Sequence, residues 1–411
     1  MGRLKWIFEL VRNILLWPLV VVFPRNQRKM LFGAWTGRNF SCNPKYFLLY
    51  ILQHHPDVYC VWVGKEEIRA LVEKIHGVKF VRKGSLKAFW HYLTAKFFVC
   101  NINWRGDIIN LPIFKKVTVI NLFHGIPYKK IGNQQYFYAS QVGPTRSKFR
   151  QVLHNWLETF GNYQYPQESW VSVSSEFIAK TFCESFPRRY TRARMVVAGL
   201  PRNDFLVLNV NNQKLKFELK QRLAKQFGLA VDKRWYIYLP TFRYETNQVY
   251  SFLATKNESK IAHILSEQGA IIIEKQHPRV LERLHVPSEQ SCCVFGLSEY
   301  QGEQIDLQEL LLVSDRLITD YSSCFFDFAL LKRPVIHFAY DFDRYCTHDT
   351  GVLYDLQEVC AGPICKTEDE LFATISNSDD ELLGKRGGIL NDIIAGETGH
   401  ASETLWSMLP K

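Results

Sequence analysis

Short apolar runs that predict strands recur along the chain, and segments long enough to form helices separate them. After residue 55 these runs are rich in β-branched and aromatic residues and are apolar throughout rather than alternating. Strands of this kind are buried on both faces, as parallel strands covered by helices are. The pattern therefore predicts an α/β fold with two Rossmann-like units. The predicted strands are Tyr59–Val63, Val78–Val81, Phe97–Cys100, Val117–Leu122, Trp170–Val173, Met195–Ala198, Trp235–Leu239, Ala270–Glu274, Arg316–Thr319 and Val335–Phe338.

The length of 411 residues is sufficient for two or three domains. A polar stretch at residues 209–216 marks the boundary between the two units, and the helical pattern that follows it ends at Phe227, before Gly228. The tail after residue 379 also has a helical pattern. The expected divisions are an amphipathic segment at 1–30, an N-terminal Rossmann-like domain at 31–210, a C-terminal Rossmann-like domain at 211–380, and a C-terminal helix at 381–411 that packs back on the N-terminal domain.

The net charge of +11 is divided unevenly between the two halves of the chain. Residues 1–208 hold 30 Lys and Arg against 11 Asp and Glu, a net charge of +19, whereas residues 209–411 hold 21 against 29, a net charge of −8. A uniformly basic coat for nucleic acid would not show this division, so we expect no nucleic-acid partner and one half that faces anions. Ten cysteines without metal-ligand spacing are typical of free thiols in a reducing compartment.

An apolar stretch at residues 4–23 opens the chain, but charged residues interrupt it and Pro18 breaks it. Its uninterrupted part, residues 14–23, is shorter than the roughly 20 residues that a membrane-spanning helix needs. A basic flank that includes Arg25 and Lys29 follows. We therefore expect a peripheral segment that lies on an anionic membrane surface at the cytoplasmic face of the cell membrane. A helix packed on the protein's own core is the alternative.

Residues typical of phosphate chemistry follow the predicted strands. Arg202, Arg243 and Lys275 offer charge-assisted hydrogen bonds to phosphate oxygens. Ser322 and Ser323 stand where a helix begins, so their hydroxyls and the first backbone N–H groups favour an anion. Because ligands bind outside the carboxyl ends of parallel strands, we expect these groups to share one site.

Two histidines, His124 and His277, also follow predicted strands, where an imidazole can accept a proton from an attacking hydroxyl. Each feature has a structural alternative when taken alone, since Ser-Ser often caps a helix and a histidine before Gly or Pro often serves a turn. Their combination at successive strand ends favours a functional site. Asp341 and Asp343 match the short DxD pattern of some metal-dependent transferases, which arises often by chance. The chain has no GxxxxGK[ST] or GxGxxG sequence, which excludes the standard P-loop and dinucleotide fingerprints.

Five segments of the chain, taken together, are similar to one known family. The segments are Phe123–Gly132, Gly199–Leu206, Leu239–Arg243, Lys275–Pro278 and Ile318–Tyr345. They resemble the CDP-glycerol glycerophosphotransferase family of teichoic acid primases and polymerases and related capsule enzymes. The resemblance implies a GT-B-like fold whose two Rossmann-like domains face a cleft, with the acceptor on the N-terminal domain and the CDP-linked donor on the C-terminal domain.

The resemblance also implies a reaction. Glycerol phosphate passes from CDP-glycerol to a hydroxyl of a lipid-linked or polyol-phosphate acceptor, CMP is released, and neither a metal nor another cofactor is required. His124 resembles the catalytic base, and His277 is the second catalytic candidate. The expected donor-binding residues are Gly125, Ile126, Pro127, Tyr128, Arg202, Pro240, Thr241, Arg243, Lys275, Gln276, Ser322, Ser323 and Asp327.

Alternatives stay open at this point. Ile126 stands where the family commonly has a small hydroxyl residue, and Gln276 stands where it commonly has an apolar one, so another CDP-polyol such as CDP-ribitol is compatible with the motifs. A sugar-nucleotide glycosyltransferase of the same GT-B architecture is a second alternative. A non-catalytic membrane module that binds polyanionic glycans through the basic half is a third.

Overall fold

Each half of the chain folds around one parallel β-sheet. The computed structural model describes residues 22–111, 117–134, 169–187, 190–244, 246, 249–275, 293–297 and 305–409, together with residues 8, 11, 12, 14–16, 18 and 19. Within these residues the first sheet has seven strands and the second has six. All the paired strands are parallel. The predicted α/β fold with two Rossmann-like sheets is confirmed.

All ten predicted strands are present, with bounds that shift by at most two residues. Three further strands were not predicted, namely Asn26–Phe32, Val294–Leu297 and Ile364–Cys365. The strands of the first sheet are β1 (Asn26–Phe32), β2 (Tyr59–Gly64), β3 (Val78–Arg82), β4 (Ala95–Cys100), β5 (Thr118–Asn121), β6 (Trp170–Val173) and β7 (Met195–Val197). Those of the second sheet are β8 (Arg234–Leu239), β9 (Ala270–Lys275), β10 (Val294–Leu297), β11 (Arg316–Thr319), β12 (Val335–Phe338) and β13 (Ile364–Cys365). The strands lie in the order β3-β2-β1-β4-β5-β6-β7 in the first sheet and β10-β9-β8-β11-β12-β13 in the second.

Helices connect the strands of both sheets. Their bounds are α1 (Cys42–His54), α2 (Arg69–Glu73), α3 (Leu86–Thr94), α4 (Trp104–Asp107), α5 (Glu176–Ser185), α6 (Pro201–Asn209), α7 (Gln213–Phe227), α8 (Glu258–Glu267), α9 (Leu307–Val313), α10 (Cys324–Ala329), α11 (Phe342–His348), α12 (Leu356–Val359), α13 (Glu368–Ile375), α14 (Asp379–Leu383), α15 (Leu390–Ile394) and α16 (Ala401–Ser407). Short 3₁₀ turns occur at Trp35–Gly37, Glu66–Ile68, Gly132–Gln134, Arg192–Arg194 and Phe252–Ala254. Successive residues of β1 pack into apolar clusters on opposite faces of the sheet, so both faces are covered.

Strand β1 corrects the expected amphipathic segment at residues 1–30, because residues 26–30 already belong to the sheet. The basic flank was expected to meet an anionic membrane surface, but two of its side chains bond to the protein instead. Arg25 donates to the carbonyls of Tyr92 and Ala95, and Lys29 Nζ donates to Thr94 Oγ1 at 2.6 Å. These side chains therefore hold β1 against the end of α3 and the start of β4. The described residues between 8 and 22 are helical.

The two halves are joined by helix α7, which ends at Phe227 as predicted and is capped by Gly228 in the left-handed conformation (φ 67°). The expected single C-terminal helix at 381–411 is instead a set of short helices. This tail lies on the first half. Gly396 N donates to Ser174 O at 2.6 Å, and Leu405 and Leu409 join the apolar cluster of the first sheet.

Candidate active site

The candidate site lies at the carboxyl edges of the two sheets. The strand order reverses between β1 and β4 in the first sheet and between β8 and β11 in the second, and ligands of open parallel sheets bind at such switch points. In the first sheet Trp35 follows β1, Asn101 follows β4 and His124 follows β5. In the second sheet Thr241 follows β8 and Asp320 follows β11.

His124 presents an accessible imidazole between aromatic neighbours. Its ring centroid lies 5.4 Å from that of Trp35 and 4.4 Å from that of Phe123. Its Nδ1 lies 3.4 Å from the carbonyl oxygen of Asn101. Because a carbonyl can only accept, the neutral ring donates from Nδ1 and leaves the lone pair on Nε2. A histidine in this tautomer has a free nitrogen with which to take a proton.

The surroundings of His124 keep it neutral. Desolvation by the surrounding protein lowers its pKa to about 4, and the positive charges of Arg202 and Lys129 act in the same direction, whereas the Asn101 carbonyl opposes them. The side chain is nevertheless exposed to solvent. The imidazole is thus both accessible and unprotonated near pH 7, as a general base must be.

Arg202 connects the histidine loop to the second half of the chain. Its Nη1 donates to the carbonyl of His124 at 2.7 Å, and its Nη2 lies 2.5 Å from Asp327 Oδ2 on helix α10. Both charged side chains are buried. Although burial alone acts to lower the pKa of the Arg202 guanidinium, the charge of Asp327 raises it. The pair therefore fixes the position of the loop, and the expected role of both residues in donor binding stays a prediction.

Gly125 lies at a close approach between the two halves. A Cβ atom at this position would lie 3.0 Å from Arg202 Nη2 and 3.3 Å from Ser323 Oγ, and the φ angle of Gly125 is +153°. The motifs that contain His124, Arg202 and Ser323 are thus brought together at one point, as the sequence predicted. Only a glycine leaves room for this approach without displacing its neighbours.

Further contacts, one set within the first half and one between the halves, hold the same region. Buried Asn43 donates to the carbonyls of Leu122 and Phe123 at 3.0 Å and accepts from the backbone N–H of Arg202, also at 3.0 Å. Across the cleft, Asp306 accepts from Lys45 at 2.5 Å and from Tyr46 at 2.8 Å. The end of β5 and the start of α6 are therefore held in a fixed relation to the second half.

Arg243 differs from the expectation that it faces phosphate. Its guanidinium is buried and bonds to Asp320 and Asp341 at 2.8 Å and to the carbonyl of Thr241 at 2.6 Å. Tyr321 also donates to Asp341, at 3.0 Å. The first Asp of the DxD pattern is therefore engaged by protein groups. Within the described residues no cluster of three or more His, Cys, Asp or Glu side chains has a metal-binding arrangement.

Ser322 and Ser323 stand directly before helix α10, as predicted. Ser323 occupies the N-cap position, but its side chain makes no capping hydrogen bond. Both serines are half-buried. The hydroxyl of Ser323 therefore does not cap the helix, which was the structural alternative for this residue.

Lys129 is a cation at the cleft to which no role was assigned from the sequence. The strand-like pairing of Lys129 with Val352 and the bond from Leu353 N to Tyr128 O at 2.8 Å attach this loop to the second half. Desolvation lowers the pKa of Lys129, the charge of Asp320 raises it and that of Arg243 lowers it, which places its ammonium in the field of the second sheet edge. Lys129 thus lies between the histidine loop and the strand ends of the second sheet.

The remaining predicted residues divide into three groups. Lys275 ends β9, beside the strand that leads to buried Pro240 and Thr241, and is half-buried. Gln276 and His277 lie outside the described residues. The remaining group consists of loop residues that are buried, and two of them pack into the apolar core, so their side chains support the loop rather than line a donor pocket. These loop residues are Ile126, Pro127 and Tyr128, of which Ile126 and Tyr128 belong to the core cluster.

Residues that sequence reasoning did not single out also shape the site. Trp35 and Thr36 adopt left-handed backbone conformations (φ 50° and 58°), and so do Cys42 (φ 66°) and Phe123 (φ 52°). Side chains other than glycine reach this region at a cost and tend to do so at functional sites. Nothing in their residue types indicates such a conformation, because Trp, Phe and Cys are not typical turn formers.

Known proteins share this arrangement of sheets and motifs. The family model for CDP-glycerol:poly(glycerophosphate) glycerophosphotransferases matches residues 15–409. The chain belongs to this family. It is accordingly an enzyme, a transferase of the CDP-glycerol glycerophosphotransferase class.

Individual relatives are similar over most of their length. The teichoic acid poly(glycerol phosphate) polymerase of Bacillus spizizenii is 29% identical over 369 residues, which cover 87% of this chain and 85% of that protein. The teichoic acid glycerol-phosphate transferase of Staphylococcus aureus is 26% identical over 389 residues, or 92% of each chain. Among solved structures, the wall teichoic acid polymerase TagF superposes with a TM-score of 0.75 at 22% identity and covers 98% of this chain and 96% of that one. This last similarity supports the GT-B-like fold.

No helix among the described residues has both the length and the apolar character needed to cross a membrane.

Proposed function

We propose that this enzyme transfers glycerol phosphate from CDP-glycerol to a hydroxyl of a polyol-phosphate or lipid-linked acceptor in teichoic acid or capsule synthesis, with His124 as the base. The observation that carries the proposal is the convergence of His124, Arg202 and Ser323 around Gly125. The family membership of the chain supports the donor class. The similar proteins named above include a poly(glycerol phosphate) polymerase, which supports a polyol-phosphate acceptor.

The proposed reaction is an in-line displacement at the β-phosphorus of CDP-glycerol. The acceptor hydroxyl attacks the phosphorus, its proton passes to Nε2 of His124, and the bond between the β-phosphorus and the bridging oxygen breaks so that CMP leaves with that oxygen. His124 is suited to the step because its Nδ1 is directed to Asn101 and its low pKa leaves it unprotonated. The negative charge of a bound pyrophosphate would raise this pKa and make the imidazole a stronger base.

The proposed donor site uses fewer cations than the sequence indicated. Arg202 and Arg243 are buried in ion pairs, so we assign the pyrophosphate to the hydroxyls of Ser322 and Ser323 and to the ammonium of Lys129. Lys275 keeps its proposed role at this edge of the sheet, and His277, which lies outside the described residues, stays the second catalytic candidate. These groups offset the charge of the leaving CMP by position and hydrogen bonding.

The base is tested by replacement of His124 with alanine. We expect His124→Ala to lose CMP release by 10²-fold or more while it retains affinity for CDP-glycerol, since general-base catalysis contributes about 10²–10⁴-fold. His263→Ala is the matched control, because His263 is an exposed histidine paired with Glu267 on helix α8. Release of CMP at the wild-type rate by His124→Ala would contradict the proposal. CDP-ribitol and a UDP-sugar, supplied in parallel reactions, distinguish the two donor alternatives.

The donor site is tested by Lys129→Met. We expect a weaker affinity for CDP-glycerol, measured by calorimetry, because a charge-assisted contact to phosphate is lost. Lys260→Met serves as the control, since Lys260 lies on the surface in a pair with Asp369. Equal affinities of the two variants would remove Lys129 from the donor site.

We further propose that the transfer does not require a metal ion. The support is that Asp341, the residue of the DxD pattern nearest the second sheet edge, already accepts bonds from Arg243 and Tyr321. We expect activity to survive treatment with EDTA. A loss of activity that Mg²⁺ or Mn²⁺ restores would contradict this proposal.

The N-terminal segment supports peripheral association with a membrane. Its inner face packs on the first half, where Leu16 and Phe23 contact the apolar cluster and Arg12 donates to the carbonyl of Asn110 at 2.7 Å. Its outer face exposes apolar residues at helical spacing, and two exposed residues of α3 continue it near Phe23. The exposed residues are Phe8, Val11, Ile14, Leu15, Leu19 and Val22 in the segment and Leu86 and Trp90 in α3. Because the ring of Trp90 contacts that of Phe23, the two sets form one apolar surface.

We propose that this surface lies on the lipid bilayer. Leu15→Glu combined with Trp90→Glu should reduce co-sedimentation with vesicles that contain anionic lipid and leave CMP release from soluble acceptors unchanged. Leu208→Glu is the control, because Leu208 is an exposed apolar residue on helix α6 rather than on this surface. Equal binding of the double variant and the wild type would contradict the assignment.

A further inference from the structure

The switch point of the first sheet contains a buried carboxylate beside the proposed base. Asp107 is completely buried at the end of helix α4. Its Oδ1 accepts from the backbone N–H of Thr36 at 2.7 Å, and its Oδ2 accepts from the N–H groups of Asn101 at 3.1 Å and Ile102 at 2.8 Å. One side chain thus binds the segments that follow β1 and β4, the two strands between which the order of the sheet reverses.

Both segments held by Asp107 contact His124. The carbonyl of Asn101 is the acceptor for Nδ1 of the imidazole, and the ring of Trp35 packs against it. The side-chain oxygen of Asn101 also accepts from the backbone N–H of Trp35 at 3.0 Å. Asp107 therefore touches no part of His124 but fixes two of the groups that do.

The turn that contains Trp35 needs such external support. Trp35, Thr36 and Gly37 are three successive residues with positive φ angles of 50°, 58° and 82°. A non-glycine residue keeps this conformation only where the surrounding structure imposes it. The hydrogen bonds from Thr36 to Asp107 and from Trp35 to Asn101 impose it here. The strained turn places the ring of Trp35 beside His124. A turn with only a structural role would not require this placement.

We propose that Asp107 is a positioning residue that sets the tautomer and orientation of His124 through the Asn101 carbonyl and the Trp35 turn. The inference rests on the proposed role of His124 as base. Its logic is that of a base held by a third group, with a backbone carbonyl in direct contact and the carboxylate one step behind it.

Charged groups surround both ends of this arrangement. Lys83 donates to the carbonyls of Thr36 and Gly106, and its charge opposes the rise in the pKa of Asp107 that burial causes. On the other side, Arg202 and Lys129 face His124. The carboxylate and the imidazole are thus separated by the strand-end backbone, so Asp107 can act on the orientation of the ring without a direct ion pair.

The variant Asp107→Asn tests the proposal with a side chain of the same size. An amide has one acceptor oxygen where the carboxylate has two, so its NH₂ group must face at least one of the three backbone N–H groups. We expect kcat to fall about 10²-fold, as a small misplacement of a catalytic group does, while the affinity for CDP-glycerol stays unchanged. We also expect the ¹⁵N NMR signals of His124 to change from the Nδ1–H tautomer to a mixture.

The control is Asp204→Asn. Asp204 accepts from the backbone N–H groups of Ala401 and Ser402, both at 2.8 Å, so it loses similar bonds at a place that does not contact His124. We expect comparable destabilisation in both variants but unchanged kcat and an unchanged histidine spectrum in the control. Equal kcat and equal spectra for the two variants would overturn the proposal.

Two measurements keep the outcomes separate. The wild-type spectrum alone decides one point without any variant, because His124 with its lone pair on Nδ1 would overturn the proposal even if Asp107→Asn did not fold. His124→Ala decides the other. If that variant keeps the wild-type rate, the proposed base is wrong. If His124→Ala is inactive while Asp107→Asn is fully active, only the positioning role of Asp107 is removed.

Discussion

The carboxyl edges of the two sheets hold their acidic residues in different ways. At the first edge Asp107 and Glu397 accept hydrogen bonds from backbone N–H groups, and burial raises the pKa of both, that of Glu397 to about 8. At the second edge Asp320 and Asp341 are bonded to the guanidinium of Arg243. The first edge thus uses backbone N–H groups, whereas the second adds a buried cation to the backbone N–H groups of Thr241 and Tyr321 that also bond to Asp320.

The difference follows the work assigned to each edge. A cation bonded to an imidazole nitrogen would lower its basicity further. At the first edge the Nδ1 of His124 instead meets a backbone carbonyl, and Arg202 bonds to the main chain of the histidine rather than to its ring. An edge that receives a doubly charged pyrophosphate needs rigid strand ends, and a guanidinium with two carboxylates provides them through directional bonds. Net charge describes neither edge well, since the half with a charge of −8 carries the proposed site of the anionic donor.

The largest expected effect is the loss of stability when the cation of the second edge is removed. Arg243→Met leaves buried Asp320 and half-buried Asp341 without their cation, and we expect the free energy of unfolding to fall by about 3–5 kcal/mol. Denaturant unfolding measures this change. Arg222→Met is the control, because Arg222 pairs with Glu309 at 2.6 Å on the surface and should cost less than about 1 kcal/mol. Similar losses in the two variants would show that Arg243 is not the centre of the second edge.

The next effect concerns Glu397, the acid at the first edge whose pKa is raised by burial. Because the folded-state pKa of Glu397 is raised, its stabilising contribution is complete below the ordinary pKa of a glutamate and is lost as the pH rises towards about 8. We expect wild-type stability to fall between pH 5 and pH 8 by as much as about 1.4 kcal/mol per pH unit, and Glu397→Gln to remove this slope. Urea titrations at several pH values provide the measurement. Glu403→Gln, at an exposed residue of α16, should leave the slope in place.

A smaller effect concerns the point where the edges meet. Gly125→Ala places a methyl group 3.0 Å from Arg202 Nη2, so we expect destabilisation of about 1–3 kcal/mol together with a loss of CMP release. Gly228→Ala is a matched control at another positive φ angle, where no atom lies within 4 Å of the added carbon. The control should lose some stability and no activity per folded molecule. Activity that is equal in the two variants would place the reacting groups elsewhere.

The smallest effect concerns the pH dependence of the rate. His124 must be unprotonated to act as a base, so activity is present above its pKa and falls tenfold per pH unit below it. We expect kcat/KM for CDP-glycerol to show its acidic limb near pH 4, the pKa of the free enzyme, and kcat to show a limb at higher pH once the donor is bound. A kcat/KM limb near the ordinary histidine pKa would contradict the desolvated setting of His124. Rapid assays of CMP release from about pH 3 to pH 8 supply both profiles.

Much of the fold was predictable because buried parallel strands have a local signature. Each continuous apolar run formed a strand. The residues that follow these strands lie at one edge of each sheet, as parallel pairing requires. Strand β1 escaped prediction because Asn26, Gln27, Arg28 and Lys29 make more than half of it polar, although its last residues are fully buried. Its place in the centre of the sheet depends on neighbours that come later in the chain.

The site was predictable only in part, for a related reason. His124, Arg202 and Ser323 were found because each stands at a strand end in a recognisable motif. The burial of Arg243 was not, because its partner Asp341 lies 98 residues away and only the folded chain shows that they meet. Asp107 gave no signal at all, since its function depends on backbone groups whose residue types are irrelevant to the bond.

The tail that lies on the first half has a consequence for the order of assembly. Leu405 and Leu409 complete an apolar cluster whose other members come from before residue 199, and Asp204 binds the start of the last helix. During synthesis the first sheet therefore leaves the ribosome without part of its own covering. The packing of the first sheet is completed only after the second half has been made, so the domain that is translated first reaches its native packing last.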